Sequence, residues 1–282
     1  MTKLERVRAA LTRQPTDRPP YAFWRHFPEV DRSPAALAQA TLRFHERYGS
    51  DFLKVTPTGG YAVQDWGCVE SDEVMADGHR PCARHAVNAP EDWKKIRPLK
   101  MESTGWADHI ETIIRCVVDR RADCPTLPTV FSPLSLARKL SGDRLKYDLA
   151  ENPRAVTDAL EAITETILAF ADACFHLMFD RLAALPADAW NWDDRRAGPT
   201  LEQGKAGVRG AVIGGLDQWT TLKEGPPEKA RAEAQDAIDQ TGGTGLILGA
   251  GCVLVNDSSD LTLVELIKSI GGQVRLGLIK PQ

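Results

Sequence analysis

The amino-acid sequence predicts an α/β protein built as a (β/α)8 barrel of the TIM type, in a shortened form with about six strands. Short apolar segments alternate with amphipathic helices along the chain, which is typical of a parallel sheet. Polar clusters follow several of these segments directly, as they do where the carboxyl ends of barrel strands meet at one mouth. The length of 282 residues suits a single barrel domain. An open doubly wound sheet satisfies the same alternation and is the alternative.

Helical periodicity and capping residues predict the helices. One helix follows Ser33 and ends at Gly49, because Ser caps a helix start and Gly a helix end. The segment between Pro153 and Pro186 contains no Gly or Pro, which predicts a helix of roughly 45 Å. The other helices are predicted at 3–13, 105–122, 134–142, 226–243 and 259–271.

Apolar and aromatic runs bounded by Pro or Gly predict the strands. The chain is predicted to form a single domain spanning 1–282. Residues 61–93 interrupt the β-α alternation, which predicts a hairpin-like excursion from this domain with its turn near 76–81. Six strands are predicted, at 17–26, 50–57, 126–133, 188–192, 208–216 and 245–252.

Composition narrows the classes of function. A net charge of −4 and a pI near 5.9 argue against nucleic acid or an anionic membrane as a partner, because both require a concentrated positive field. The charged N-terminus and the lack of a long apolar run predict a cytoplasmic protein. The six cysteines show no CxxC spacing, so we expect reduced thiols.

Several motifs, taken in order, resemble the uroporphyrinogen decarboxylase family, a (β/α)8 superfamily that also includes corrinoid-linked methyltransferases. They are RVRAALTRQPTDRPPYAFW, YGSDFLKVTPTGGYAVQDWG, TVFSPLSLARKLSG, NWDDR, GAVIGGLD and GLILGAGC. The resemblance extends from residue 3 to about residue 272. It implies a carbon-carbon lyase of porphyrin biosynthesis, or a methyltransferase.

The chain departs from this family by lacking about two βα units before the strand at 188–192. The long helix after Pro153 would then be two family helices joined, and we expect it to break or bend near Cys174–Met178. A barrel with too few strands exposes sheet edges, which favours a homodimer.

The resemblance implies catalytic roles for Arg25, His26 and Asp193. The family's decarboxylases bind substrate carboxylates with an Arg-rich segment after the first strand, where Arg25 and His26 stand here. A guanidinium pairs with a carboxylate through two parallel hydrogen bonds. Asp193 follows the strand at 188–192, where a carboxylate can accept a substrate proton. This interpretation requires a carboxylate-bearing small-molecule substrate, such as a tetrapyrrole, and no cofactor.

Further residues at or near strand ends are predicted to bind that substrate. A Lys that points inward from a strand must be paired or perturbed, which singles out Lys54. Alternation sends Asn191 and Asp193 to the side opposite the two flanking tryptophans. The predicted substrate-binding residues are Lys54, Tyr61, Arg138, Asn191, Arg195, Gly215 and Asp217.

Three positions depart from the decarboxylase pattern and weigh against uroporphyrinogen as the substrate. The second strand ends in VTPTGG, without the family's Asp. Arg138 stands where the family has a Tyr, and Ala250 stands where it has a late His.

Two other functions remain open. The methyltransferase branch binds zinc through a His-x-Cys pair and a distant Cys, and works with a corrinoid protein. Cys252 matches the distant Cys, but His176 is followed two places on by Met178 rather than Cys. The third interpretation is a degenerate, non-catalytic barrel kept for binding or assembly.

Overall fold

Parallel strands form the wall of the molecule. The computed structural model describes residues 1–120, 124–182, 189–196, 199–208 and 210–274, and only the backbone of 104, 120, 172 and 175–182. Strand β1 (Leu53–Lys54) pairs in parallel with β4 (Thr126–Leu127). A second parallel sheet contains β5 (Ala189–Asn191), β6 (Ala211–Leu216) and β7 (Leu246–Ala250) in that order.

The extended segment 20–24 joins these two sheets. Tyr21 forms a parallel bridge with Leu248, and the Asp51 amide donates to the Tyr21 carbonyl at 2.8 Å. The wall therefore runs β5, β6, β7, segment 20–24, β1, β4. The last strand lies beside the first segment, as in a barrel and unlike a doubly wound sheet. The predicted fold class is confirmed.

The described barrel is open on one side. All six predicted strand positions contribute to the wall, although segment 20–24 forms a single bridge because Pro19 and Pro20 provide no N–H. Within the described ranges no strand pairing joins β4 to β5. The opening lies where the family resemblance predicts that about two βα units are missing.

Alternation along the strands separates the interior from the helical layer. Ala22, Trp24, Phe52, Ile213 and Ile247 pack together inside the barrel, where Val7 and Ala10 of the first helix close the bottom. The neighbouring residues in sequence, among them Tyr21, Phe23, Leu53, Val55, Val212 and Leu248, point outward and pack with the surrounding helices.

The helices lie mostly where periodicity predicts them. Ser33 caps the second helix by accepting from the Ala36 amide, and Gly49 ends it with a φ of 64°. The helices are α1 (Lys3–Leu11), α2 (Pro34–Tyr48), α3 (Thr104–Arg120), α4 (Pro133–Ser141), α5 (Arg144–Glu151), α6 (Pro153–Leu182), α7 (Leu201–Gly207), α8 (Thr221–Glu224), α9 (Pro227–Thr241) and α10 (Asp260–Ser269). No helix in the described ranges is long and apolar enough to cross a membrane.

Helix α6 is continuous over 30 residues, so the predicted break near Cys174–Met178 is wrong, while the bend predicted as its alternative stays a prediction. The segment contains neither Gly nor Pro to interrupt the hydrogen-bond ladder. Phe170 and Cys174 are buried in the same core cluster as Val156 and Ile163, which holds this face of the helix against the fold.

The predicted excursion forms a hairpin. Strands β2 (Val69–Glu70) and β3 (Cys82–Arg84) pair antiparallel, and the turn between them closes where the Met75 amide donates to the His79 carbonyl at 2.9 Å. Arg80 anchors the hairpin through two hydrogen bonds of 2.8 Å to the Asp31 carboxylate. Short 3₁₀ helices at Gln64–Trp66 and Pro90–Lys95 flank it.

A buried ion cluster fixes the bottom of the barrel, away from the strand ends. Asp51 is fully buried at the start of β1 and accepts from Arg6 Nη1 at 2.6 Å and from Arg18 Nη1 at 2.6 Å. It also accepts from the Tyr21 amide at 2.9 Å. Its position at the strand's beginning explains why it lies outside the candidate site.

Candidate active site at the open end of the barrel

Lys54 supplies a positive charge inside the barrel. Its neighbours Leu53 and Val55 pack outward, so alternation turns the Lys54 side chain inward. Its Nζ lies 5.1 Å from the centroid of the Trp24 ring, a cation–π contact. Lys54 has no carboxylate partner in the part of the chain that the structure describes. The barrel therefore holds a cation whose charge is not neutralised by a neighbouring acid.

His26 lies beside this cation under the hairpin turn. Its Nδ1 is buried and has no hydrogen-bond partner among the described residues. A Cβ at Gly78 would lie 2.8 Å from the His26 Cβ, and Gly78 has a φ of 85°, so only glycine lets the turn pack this closely. The Asn256 amide donates to the Ala76 carbonyl at 3.2 Å and holds the turn over the strand ends.

Asp193 supplies a carboxylate at the same end of the barrel. Gln218 is 1% exposed, donates through Nε2 to Asp193 Oδ2 at 3.3 Å, and accepts from the Gly251 amide at 3.1 Å. The other oxygen, Asp193 Oδ1, is buried and has no partner in the described ranges. Cys252, which follows Gly251 in the chain, carries an exposed free thiol.

Electrostatic interactions connect Lys54 with Cys252 and with His26. Burial lowers the pKa of Lys54 to about 8, and the nearby Cys252 partly opposes this shift. Burial lowers the pKa of His26 to about 4, and the positive charge of Lys54 acts in the same direction. His26 is therefore a neutral imidazole at pH 7, while Lys54 exists partly as a neutral amine.

Two predicted site residues, Arg25 and Arg138, have their polar groups engaged elsewhere. Arg25 stacks on Phe27 at 5.5 Å and donates to Asn256 Oδ1 at 2.7 Å, because it points opposite to Trp24. Burial lowers the pKa of Arg25. Arg138 lies on α4, 62% exposed along its side chain, and pairs with Asp143 at 3.1 Å.

Tyr61 lies in an aromatic core rather than at the mouth. Its hydroxyl donates to the Thr129 carbonyl at 2.6 Å, and its ring lies 4.5 Å from that of His109. Burial raises the pKa of Tyr61. Tyr61 and His109 both line a separate cavity of about 380 Å³ between α2, α3 and the hairpin.

The remaining predicted residues fasten the strand ends to each other and to helix α9. Arg195 donates to Asp236 Oδ2 at 2.6 Å and to the Gly215 carbonyl at 2.8 Å. Gly215 faces α9, where a Cβ would lie 2.6 Å from the Ala237 Cβ, so its close approach is to a helix rather than to a ligand.

Asp217 and Asn191 hold backbone groups of the strand ends. Asp217 Oδ1 accepts from the amides of Trp219 and Thr220 at 2.7 and 3.1 Å and shapes the turn before α8. Asn191 Nδ2 donates to the carbonyls of Ile213 and Ala250 at 2.9 and 3.1 Å, linking three strands. The structure thus brings Lys54 together with His26 and Cys252, and it places Asp193 against Gly251, the residue before Cys252. The other predicted residues whose side chains are described serve structural contacts.

Two polar residues of the site were missed by sequence analysis. Thr56 follows Lys54 by two positions, and its Oγ1 is buried without a partner in the described part of the chain. Period-two alternation along the strand was the signal that could have found it. Gln218 directly follows Asp217, and nothing in the sequence separated its role from that of its neighbour.

Cys252 and His176 are the two predicted zinc ligands. Within the described ranges, no group of three or more His, Cys, Asp or Glu side chains is placed to hold a metal ion. The His176 side chain lies outside the described residues. Cys252 has Lys54 as a charged neighbour, and zinc binding at Cys252 and His176 stays a prediction.

The parallel wall, the surrounding helices and the polar mouth define a protein of the (β/α)-barrel class. The family model of uroporphyrinogen decarboxylase (URO-D) matches residues 2–177. The chain belongs to this family. Among solved structures it is similar to a methyltransferase from Methanosarcina mazei, with a TM-score of 0.73 and 16% identity over 96% of this chain and 98% of that chain. At 16% identity this similarity shows a shared fold and no more. No curated protein matches the chain.

Proposed function

We propose that this chain is a carbon-carbon lyase that removes a carboxyl group from a small carboxylate-bearing substrate held in the mouth of the open barrel. One observation carries the proposal: Lys54 places a positive charge inside the barrel without a carboxylate partner in the described ranges. An unpaired buried charge is costly to a fold, so its retention favours a role in binding an anionic ligand.

The groups around Lys54 suit decarboxylation. When carbon dioxide leaves, the electron pair of the broken bond must pass into an electron-poor part of the substrate, and a proton must then reach that carbon. Lys54 supplies the positive charge, which acts strongly in a poorly solvated interior. Asp193 Oδ1 and His26 Nδ1 are buried polar atoms with no partner in the described ranges, and they can carry the proton. No cofactor is required.

In this proposal Lys54 binds the substrate carboxylate, and the arginines of the family pattern do not. Arg25 is held by Asn256, and Arg138 pairs with Asp143 on the surface. A substrate with one or a few carboxylates suits a single interior cation better than an octacarboxylate does. We therefore favour a small acid over uroporphyrinogen.

Titration calorimetry with tricarballylate, a small tricarboxylate, tests this function. The wild type should bind it, and binding should weaken as salt rises. Lys54→Met should weaken binding by about 1.5 to 3 kcal/mol, the scale of a charge-assisted hydrogen bond. Lys229→Met is the matched control, because Lys229 lies exposed on α9. Equal affinities for wild type and Lys54→Met would overturn the proposal.

A corrinoid-linked methyltransferase is the second candidate, favoured by the fold of the similar methyltransferase and by the exposed Cys252 thiol at the mouth. This function requires zinc and a corrinoid protein partner. Zinc bound after purification without chelator, lost in Cys252→Ser, would support it. A non-catalytic barrel would show neither turnover nor zinc, and a homodimer stays a prediction for sedimentation analysis.

A further inference from the structure

We propose that Lys54 acts as a covalent amine nucleophile and that the barrel mouth takes 3-oxo acids, whose keto carbon forms a Schiff base with Lys54 Nζ. This inference rests on the proposed decarboxylase function and names its substrate class. A 3-oxo acid has a carboxylate that the cation attracts and a ketone that an amine attacks.

Geometry places Lys54 where such chemistry can occur. Its side chain leaves a central strand toward the barrel interior, and the Trp24 ring lies against its Nζ at 5.1 Å. A lysine held in a salt bridge cannot attack a carbonyl, since its lone pair carries a proton. Lys54 has no acidic partner in the described ranges, and burial makes its neutral amine accessible near pH 8.

The surrounding groups can handle water and protons. Asp193 packs against Gly251, and the following residue, Cys252, interacts electrostatically with Lys54. Asp193 and Lys54 therefore belong to the same end of the barrel. The positive charge of Lys54 also lowers the pKa of His26. Asp193 Oδ1 and His26 Nδ1 are each buried without a partner in the described part of the chain.

The reaction is balanced without an external oxidant or reductant. The neutral amine adds to the keto carbon, and the resulting carbinolamine takes up a proton from solvent and loses its hydroxyl as water, which leaves a protonated imine. The bond to the carboxylate then breaks, carbon dioxide leaves, and the electron pair moves into the imine nitrogen to give an enamine. Water supplies the proton that the enamine carbon takes up, with Asp193 or His26 relaying it, and a second water then releases the ketone and the free amine.

Borohydride trapping with acetoacetate tests the inference on the intact protein. Borohydride reduces an imine to a stable secondary amine, so peptide mapping should find the adduct at Lys54 of the wild type and not at the exposed Lys229. Lys54→Arg keeps the positive charge but cannot form the imine, so it should give no adduct and no carbon dioxide release.

The outcomes separate this inference from the proposed function. If borohydride gives no adduct, or adducts on surface lysines only, the Schiff base is refuted. The proposed function still stands in that case if wild type and Lys54→Arg both bind tricarballylate. Loss of tricarballylate binding by the wild type overturns the proposed function itself. Equal carbon dioxide release by Lys54→Arg and wild type also refutes the covalent role, and urea unfolding of both proteins checks that the variant is folded.

Discussion

Replacing Gly251 by alanine should displace the Asp193 carboxylate with a limited loss of stability. A Cβ at position 251 would lie 2.6 Å from the Asp193 Cα and 3.1 Å from its Cγ. Carbon atoms pack at about 3.5 to 4.0 Å, so Asp193 must retreat by roughly 1 Å. Overpacking of this kind costs about 1 to 3 kcal/mol. A displacement of about 1 Å at a reacting group lowers a rate by about 100-fold.

Two assays measure this prediction. Urea unfolding gives the free energy of unfolding, and carbon dioxide release from acetoacetate gives the rate. Gly207→Ala is the matched control, since a Cβ at Gly207 meets nothing within 4 Å. The control should keep both wild-type activity and stability. A Gly251→Ala protein with wild-type rate and wild-type stability would refute the packing of Asp193 against this turn.

Three further predictions concern the buried charges. Asp51→Asn leaves two arginines without their shared carboxylate and should lower the free energy of unfolding by about 3 to 5 kcal/mol in urea titrations; a loss below about 1 kcal/mol would contradict the ion cluster. Arg80→Met should free the hairpin from Asp31, and limited proteolysis should then cut it faster than in the wild type; equal rates would argue against the anchor. Lys54→Met should stabilise the protein below pH 8, because the fold lowers the pKa of Lys54 and so opposes its protonation. This gain in stability should shrink as pH rises toward the ordinary lysine pKa. A gain that grows with pH would contradict the lowered pKa of Lys54. The neighbours Cys252, His26 and His109 are the titratable groups that interact with Lys54.

Periodicity predicted the parts of the fold that depend on local patterns. The strand ending in Lys54 alternates between outward Leu53 and Val55 and inward Phe52 and Lys54, so the inward lysine could be read from sequence. The hairpin turn was also predicted, because ADGHRP contains the glycine that the turn requires. The continuity of α6 was not predicted, because the family resemblance suggested a junction of two helices at residues that themselves favour a helix.

The partners of individual side chains could not be predicted from sequence. Arg25 and Asp217 have the charges that a site needs, yet each finds a partner close by in space, namely Asn256 for Arg25 and the turn at Trp219 for Asp217. Alternation within segment 20–24 did contain a signal for Arg25, because an inward Trp24 turns the next residue outward. Motif order identified the family correctly, but motif position alone does not show which polar atoms remain unpaired.

The central claim is that the ligand site lies inside the barrel mouth at Lys54. A crystal structure of the protein soaked with tricarballylate tests it most directly. The account predicts a carboxylate within hydrogen-bond distance of Lys54 Nζ, with Asp193 and His26 beside the ligand. Tricarballylate bound instead at Arg138, or in the cavity between α2, α3 and the hairpin with Lys54 uncontacted, would contradict it.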